Sequence, residues 1–479
     1  MSRRDLAICA GLFAAALALS GFTILRGYQP HDEGLMLAWA RRIADGQWPY
    51  RDFWANYTPG QPLVLALLAK LFGPSLLSWR IVRIAIDATV ALLAFVYVRR
   101  RAGTAWALAA WVAAAGAMAW PSGPGPNPPA LALALGAIIA APRAPIAGGA
   151  LAGLAFFFRP EIGVAAVIGA AVEAGRAGTA RVAAAAAAVA VVALAPFAIV
   201  AGGEMFDQVV GFAPLQHLQR LPFPLHYHGP FDLNKLLEFY LPAILVAATA
   251  LWAVWAVARR QGAALAALVA VGLAYLLART DEFHLVPLSV VLAVALAIAV
   301  AREADRAPRI ALAIALALIA AHGLERRAGQ ALHPPALAPI PAEAADGVRT
   351  SPADAAALRA LIPYVRARAP GGAPVLVAPP RYDRVRVGNP MLNVLLDRPN
   401  PTRYDVVQPG LVTTAKVQRE MARDLRGTPV VVRWLSPLAR EVEDNGSGRS
   451  SGVFILDRAI ARRYRFAARF GDYVVLVRR

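Results

Sequence analysis

The chain has 479 residues, 58% of them hydrophobic and only 16% charged, with 49 Lys and Arg against 30 Asp and Glu for a net charge of +19. A soluble domain is nearer a quarter charged, so this composition excludes an ordinary soluble protein. The arginines sit in short clusters between apolar runs, which argues against a nucleic-acid surface, and the lone Cys9 excludes an intrachain disulfide and a cysteine-based metal site.

A membrane-crossing helix needs about 20 apolar residues, because every backbone group must be satisfied within the segment. Eleven candidate spans follow in order, at roughly 5–25, 77–98, 104–120, 128–141, 146–158, 162–175, 181–201, 239–258, 262–278, 283–301 and 309–324; the fourth to sixth are short. Arg3 and Arg4 precede the first, which has no small-x-small cleavage pattern before Arg26 and is expected to stay as a signal-anchor. Basic clusters then recur at Arg99–Arg101, at Arg143, at Arg176 and Arg181, at Arg259 and Arg260, and at Arg302, Arg306 and Arg309. With eleven spans and a cytoplasmic N-terminus, every cluster lies in the cytoplasm, as the positive-inside rule requires. The expectation is a polytopic α-helical protein of a bacterial inner membrane, its C-terminal part on the outer, extracytoplasmic side.

Three long segments fall on that outer side: 26–76, 202–238 and everything after about 325. The last opens with a Pro-rich linker, 326–341, and continues as 342–479. There, strand-like runs at 375–378, 429–435 and 472–479 alternate with helical stretches at 416–425 and 454–464, which predicts a small soluble α/β domain behind the 1–325 membrane body. No repeat of solenoid length appears.

The first outer segment is more than a connector. Residues 34–44 read as an amphipathic helix stopped by Gly46, and 62–72 as a second apolar helix begun by Pro62 but too short to span. Both are expected to lie in the interface plane. Asp32 and Glu33 stand where the first span meets the first of these helices. A carboxylate beside lipid needs a partner or a role. The plain reading is that Asp32 caps the helix and Glu33 favours its N-terminal dipole; the alternative is catalysis.

HDEG at 31–34, G-x-W-P-Y-R-D-F-W at 46–54 and Y-T-P-G at 57–60 precede F-R-P-E at 158–161, R-T-D-E-F-H at 279–284 and N-P-T-R-Y-D at 400–405. In this order and at these topological positions, the set resembles the GT-C membrane glycosyltransferases, nearest the protein O-mannosyltransferase and aminoarabinose-transferase group (glycosyltransferase family 39-like). The resemblance covers most of the chain. It implies an enzyme that moves a sugar from a polyprenyl-phosphate donor to a hydroxyl of a glycan, a lipid or a protein. In that family the acidic residue of the first outer loop serves the acceptor hydroxyl as base or through a metal, and Asp32 matches it, with Glu33 beside it. Sugar transfer fits such a group, since a carboxylate can take the attacking hydroxyl's proton and cations need only steady the phosphate leaving group. A single displacement would invert the anomeric centre, again as the resemblance implies. A divalent cation (Mg, Mn or Ca) is a possible cofactor because metal use varies in the family. The loop 121–129 lacks the second acidic residue that some relatives carry, which Glu161 or Asp281 would have to replace.

Arg279, Arg159 and His284 are candidate donor-phosphate ligands, at the outer ends of spans, where a guanidinium can present several donors to phosphate. The plainer readings are a local Arg279–Asp281 salt bridge and headgroup anchoring by Arg159. Asp52, Asn56, Tyr57, Glu161 and Asp281 are weaker candidates for sugar or acceptor contacts. Trp48, Tyr50, Trp54 and Tyr57 read first as an interfacial aromatic belt and second as a sugar or lipid platform. Arg83 and Asp87, four residues apart in one span, are expected to pair. His217, His226 and His228 have no recognised zinc spacing and read as part of an ordered loop over the site. Two rival functions remain: a lipid or sugar transporter, which predicts an internal repeat that is not visible, and an assembly protein with an outer interaction domain, for which eleven spans are excessive.

Overall fold

The computed structural model describes residues 3–119, 123, 125–221, 223–224, 226–443 and 445–479, without the side chains of Leu233, Asn234 and Glu282. The end of the third predicted span at Trp120, and Pro121, Ser122 and Pro124 of the loop 121–129, lie outside the described residues.

The body is helical: α1 (Arg3–Gly21), α2 (Asp32–Ala44), α3 (Gly60–Phe72), α4 (Leu76–Met118), α5 (Asn127–Ala140), α6 (Pro145–Phe158) and α7 (Pro160–Ala201), then the short α8 (Gly203–Phe206), and α9 (Leu233–Arg259), α10 (Ala263–Ala278), α11 (Glu282–Arg302) and α12 (Arg306–Leu332). Two of these are hairpins. Gly103 (φ 80°) breaks α4 and Gly175 (φ 65°) breaks α7, each in a backbone region that favours glycine. In a straight helix Arg83 and Met118 would lie about 52 Å apart, yet the Arg83 guanidinium donates to the Met118 carbonyl at 3.3 Å. In α7, Gly163 abuts Phe156 of α6, whereas Gly149 and Gly153 of α6 abut Val182 and Ala186, so its halves run in opposite directions. Six of the helices, α1, α4, α7, α9, α11 and α12, are long and apolar enough to cross a bilayer, and α5, α6 and α10 are shorter apolar helices. With α4 and α7 each crossing twice, the eleven predicted spans are all helical, and α2 and α3 are the two predicted interfacial helices. Small residues let the long helices approach: a Cβ on Gly323 of α12 would lie 2.7 Å from the Gly116 backbone.

The basic clusters share one end of this bundle. Arg99 pairs with Asp5 and Arg101 with Glu173, Arg100 reaches the Ile139 carbonyl, and Arg259 pairs with Glu303 and Asp305. The opposite end carries the C-terminal domain. The stretch 326–341 stays helical through Leu332 before its Pro-rich part. Two short strands, β1 (Ala338–Pro339) and β2 (Arg349–Thr350), pair before α13 (Pro352–Arg368). A four-stranded sheet follows, in the order β3 (Val375–Ala378), β4 (Val430–Trp434), β6 (Tyr473–Arg478), β5 (Tyr464–Phe470); only β3 and β4 are parallel. Helices α14 (Met391–Leu396), α15 (Ala415–Asp424), α16 (Pro437–Arg440) and α17 (Ile455–Arg463) complete it.

The domain is docked on the loop and helix that follow α1. Arg42 of α2 makes a two-pronged ion pair with Asp405 at 2.8 and 3.1 Å, Tyr28 donates to Asp354 at 2.7 Å, and the Met391 amide donates to the Pro30 carbonyl. A Cβ on Gly34 would fall 2.2 Å from the Met391 nitrogen, so the G of HDEG is a contact the domain requires. The loop aromatics are neither a lipid belt nor an open platform: Tyr50 and Trp54 are buried, Trp48 packs on Phe197 and Trp54 on Phe212, in one core with the domain's Leu376 and Tyr404. Protein covers the rings of Tyr50 and Trp54, whereas Trp48 and Tyr57 stay partly exposed. Tyr50 adopts φ 70°, held by its hydroxyl on the Tyr57 carbonyl and by Gln208 and Arg403 on its own carbonyl.

Candidate active site

The adjacent carboxylates Asp32 and Glu33 go separate ways. A helix turns about 100° per residue, so neighbours cannot share a face. Glu33 is buried and takes two bonds from Arg80 of α4, at 2.9 Å each, plus one from the Gln29 amide. The same guanidinium donates to the carbonyls of Ile24 and Gly27. Glu33 therefore fastens the first loop to the bundle and has no room for a substrate. Asp32 is exposed at the first residue of α2 and makes no hydrogen bond or ion pair among the described residues. It caps nothing, since its own position is already helical.

Asp32 lies within electrostatic range of Tyr57, which belongs to a cluster at the ends of the short helices. Burial raises the pKa of the Tyr57 hydroxyl well above its ordinary value, and the nearby carboxylates of Asp32 and Asp281 add to the effect. The Arg159 guanidinium lies between two tyrosine rings, 5.5 Å from the centroid of Tyr57 and 5.0 Å from that of Tyr275. It pairs with Glu161, and its Nε is buried without a partner. Tyr275 accepts from Asn127 at 3.2 Å and stacks on His284, with centroids 4.0 Å apart. His284 bonds Asp281, whose carboxylate also caps α11 through the amides of Phe283 and His284. Burial would raise the Asp281 pKa, but His284 and Arg279 outweigh it and hold the carboxyl below its usual range.

The short helices place this cluster. A 14-residue helix such as α5 or α6 covers about 21 Å against a hydrocarbon core of about 30 Å. Starting from the basic end, it stops within the depth of the longer spans, so Arg159 and Asn127 are recessed. Below them a narrow, mostly apolar cleft runs between α5, α7, α10 and α11, lined by Leu131, Ile162, Leu268, Val271 and Val291, with Arg159, Glu161 and Tyr275 at its polar end.

Of the predicted residues, Tyr57, Arg159, Glu161, Asp281 and His284 come together through Arg159 and Tyr275, and Asp32 stands within electrostatic range of Tyr57. Arg279 borders the group through Asp281, but its terminal nitrogens turn to Glu443 of the C-terminal domain and to the Gln219 carbonyl. Asp52 lies elsewhere, tied to Arg51 and to the Trp48 amide. Asn56 has a buried carbonyl oxygen without a hydrogen-bond partner among the described residues. Tyr275, Asn127 and Glu443 escaped the sequence reading. Tyr275 stands one helical turn before Arg279, a spacing that signals a shared face; Glu443 carries no local signal. Arg83 and Asp87 pair as expected at 2.6 Å, and Arg83 also donates to the Gly123 carbonyl. No three His, Cys, Asp or Glu among the described residues gather as metal ligands do, and Glu161 and Asp281 are each committed to a cation. Asp32 alone among these carboxylates is uncommitted, which does not amount to a donor set for a divalent ion.

No family model matches the sequence, and no curated protein matches it. Solved structures do share its fold. ArnT from Cupriavidus metallidurans in the apo state aligns with a TM-score of 0.57 at 14% identity, over 99% of this chain and 98% of that one. The same protein bound to undecaprenyl phosphate aligns with a TM-score of 0.54 at 16% identity over the same shares. An Archaeoglobus fulgidus oligosaccharyltransferase aligns more loosely, with a TM-score of 0.46 at 12% identity, over 88% of this chain and 68% of that one. A match over nearly the whole of both chains, helical body and C-terminal domain together, identifies the architecture of this polytopic membrane protein as the GT-C fold.

Proposed function

We propose that the protein is a membrane glycosyltransferase that moves a sugar from a polyprenyl-phosphate donor to an acceptor hydroxyl. The observation that carries this reading is the arrangement at the domain face. An uncommitted carboxylate, Asp32, lies in electrostatic range of a cation-bearing recess, beside a narrow, mostly apolar crevice among the spans whose cavity volume of about 10 Å³ would have to widen to take a lipid chain. A lipid phosphate has this division of character, a charged head on an apolar chain. The shared fold with ArnT, which has been solved with undecaprenyl phosphate, supports the same donor class.

In the proposed reaction the acceptor oxygen attacks the anomeric carbon while its proton passes to Asp32. The new bond forms as the anomeric carbon–oxygen bond to phosphate breaks, and the electron pair leaves with the phosphate. Arg159, fixed between Tyr57 and Tyr275, steadies that charge from a site already organised for it. A single displacement from the opposite side inverts the anomeric centre. No step is drawn through a metal, because the residues around Asp32 do not form a ligand set. The reaction face is placed outside the cytoplasm, supported by the basic clusters at the other end of the bundle.

The test is incubation of the purified protein with a panel of polyprenyl-phosphate sugars, following release of polyprenyl phosphate. Release from one donor and transfer to a hydroxyl acceptor would support the reading. Folded protein that releases nothing from any donor, with glycan, lipid and peptide acceptors supplied, would contradict it.

A further inference from the structure

Arg279 uses four of its five N–H donors in this structure. Its Nε donates to Asp281, Nη1 to the Gln219 carbonyl at 3.1 Å and to Glu443 at 2.9 Å, and Nη2 to the other oxygen of Glu443. Glu443 thus takes both terminal nitrogens at once, the two-pronged contact a guanidinium also makes with a phosphate. The two carboxylates on this arginine differ in how they are held. Asp281 is built into the N-terminus of α11, where two backbone amides bond it. Glu443 lies in the loop after α16, its side chain 30% exposed, steadied by Asn445 at 2.8 Å. One is a fixed part of the fold and the other can leave without unmaking a helix.

We propose that Glu443 stands on Arg279 in place of the donor's phosphate, and that it sets donor affinity by competing with that phosphate. The inference rests on the reading of this face as a polyprenyl-phosphate site. Charge supports it. Arg279 with Asp281 and Glu443 sums to one negative charge, so an anionic phosphate is repelled while Glu443 is seated. With Glu443 gone, Arg279 and Asp281 balance and two guanidinium donors are free. After transfer the product is a phosphate monoester, bearing more charge than the diester that entered. The return of Glu443 then displaces the product from Arg279. The contact also ties phosphate binding to the outer domain: beside Glu443, Gly446 sits against Leu218, in the segment whose Gln219 carbonyl Arg279 holds.

The experiment measures binding of undecaprenyl phosphate to the full-length protein in lipid nanodiscs, for wild type, Glu443→Gln, Glu443→Asp and Arg279→Ala, with thermal unfolding alongside. Glu443→Gln removes the competing charge and is expected to bind roughly tenfold tighter, about 1.4 kcal/mol, with a lower donor KM but no gain in kcat. Glu443→Asp, which keeps the charge, falls between wild type and Gln. Arg279→Ala weakens binding. Asn445→Ala, which frees Glu443 without removing it, tightens binding a few-fold and serves if Glu443→Gln does not fold. A Glu443→Gln or Asn445→Ala protein that folds yet binds no tighter than wild type overturns the competition alone. Folded wild-type and Glu443→Gln proteins that both fail to bind undecaprenyl phosphate overturn the competition and the donor reading beneath it.

Discussion

Replacing Arg80 with alanine removes the one cation that faces the buried Glu33 carboxylate. Both residues are nearly inaccessible, at 4% and 1% exposure, and Arg80 makes four bonds: two to Glu33 and one each to the carbonyls of Ile24 and Gly27. Removing one partner of a buried ion pair costs about 3–5 kcal/mol, because the other charge is left unpaired in a medium that cannot solvate it. The loss falls on residues 24–33, which also carry Asp32 and the domain contact at Pro30, so loosening there reaches the active face. Reversible unfolding of the purified protein in detergent measures it. Arg80→Ala is expected to lose most of that energy, and the paired replacement Glu33→Leu with Arg80→Met to recover much of it, since a well-packed apolar pair often matches a buried ion pair. By contrast Asp32→Asn, one residue away but exposed and unpartnered, should stay within about 0.5 kcal/mol of wild type. Equal, small losses for Arg80→Ala and Asp32→Asn would refute the division between a structural and a reacting carboxylate.

Other outcomes follow from the same geometry. Arg159→Ala should lower the rate of transfer about 10²–10³-fold, and Arg159→Lys should restore little, because a lysine cannot fill the flat space between two tyrosine rings; steady-state kinetics with a lipid-linked donor checks both. Asp281 and Glu443 are both held below the ordinary carboxylate pKa in spite of burial, Asp281 by His284 and Arg279 and Glu443 by Arg279 and Asn445. Their folded values are depressed, so the stability they contribute is fully present above the ordinary carboxylate pKa of about 4 and is lost as pH falls through the folded values. Unfolding measured from pH 7 down to pH 3 should show this loss, and it should shrink in Glu443→Gln. Gly323→Leu forces a side chain into the Gly116 backbone and should destabilise the α4–α12 contact by more than about 2 kcal/mol, whereas Gly329→Leu, whose Cβ meets only the Glu325 side chain at 3.9 Å, should be nearly neutral. Transfer should survive a chelator, and its loss, restored by one divalent ion, would show that a metal completes the site.

The membrane architecture was legible because it depends on the length of apolar runs and on where arginines interrupt them. Both are local, and the glycine reversals at 103 and 175 fall in those interruptions. The strands at 375–378, 430–434 and 473–478 were visible from their β-branched runs for the same reason. The site was legible only in part. Asp32, Tyr57, Arg159, Asp281 and His284 stood out as charged or polar residues at the ends of apolar runs, where lipid makes unpaired groups costly. The pairing that separates Glu33 from Asp32 lies 47 residues away at Arg80, and that of Arg279 lies 164 residues away at Glu443. No periodicity encodes such contacts; tertiary packing decides them. The loop aromatics misled for a related reason: an amphipathic ring beside a membrane fits a belt as well as it fits a domain interface, and only the docked C-terminal domain separates the two.

The most direct test of the account is the initial rate of polyprenyl phosphate release from a lipid-linked sugar, in the presence of acceptor, by wild-type and Asp32→Asn proteins of equal stability. The account predicts release by wild type and a fall of at least about 10²-fold in Asp32→Asn. Release at the same rate by both proteins would contradict the assignment of Asp32 as the group that takes the acceptor's proton.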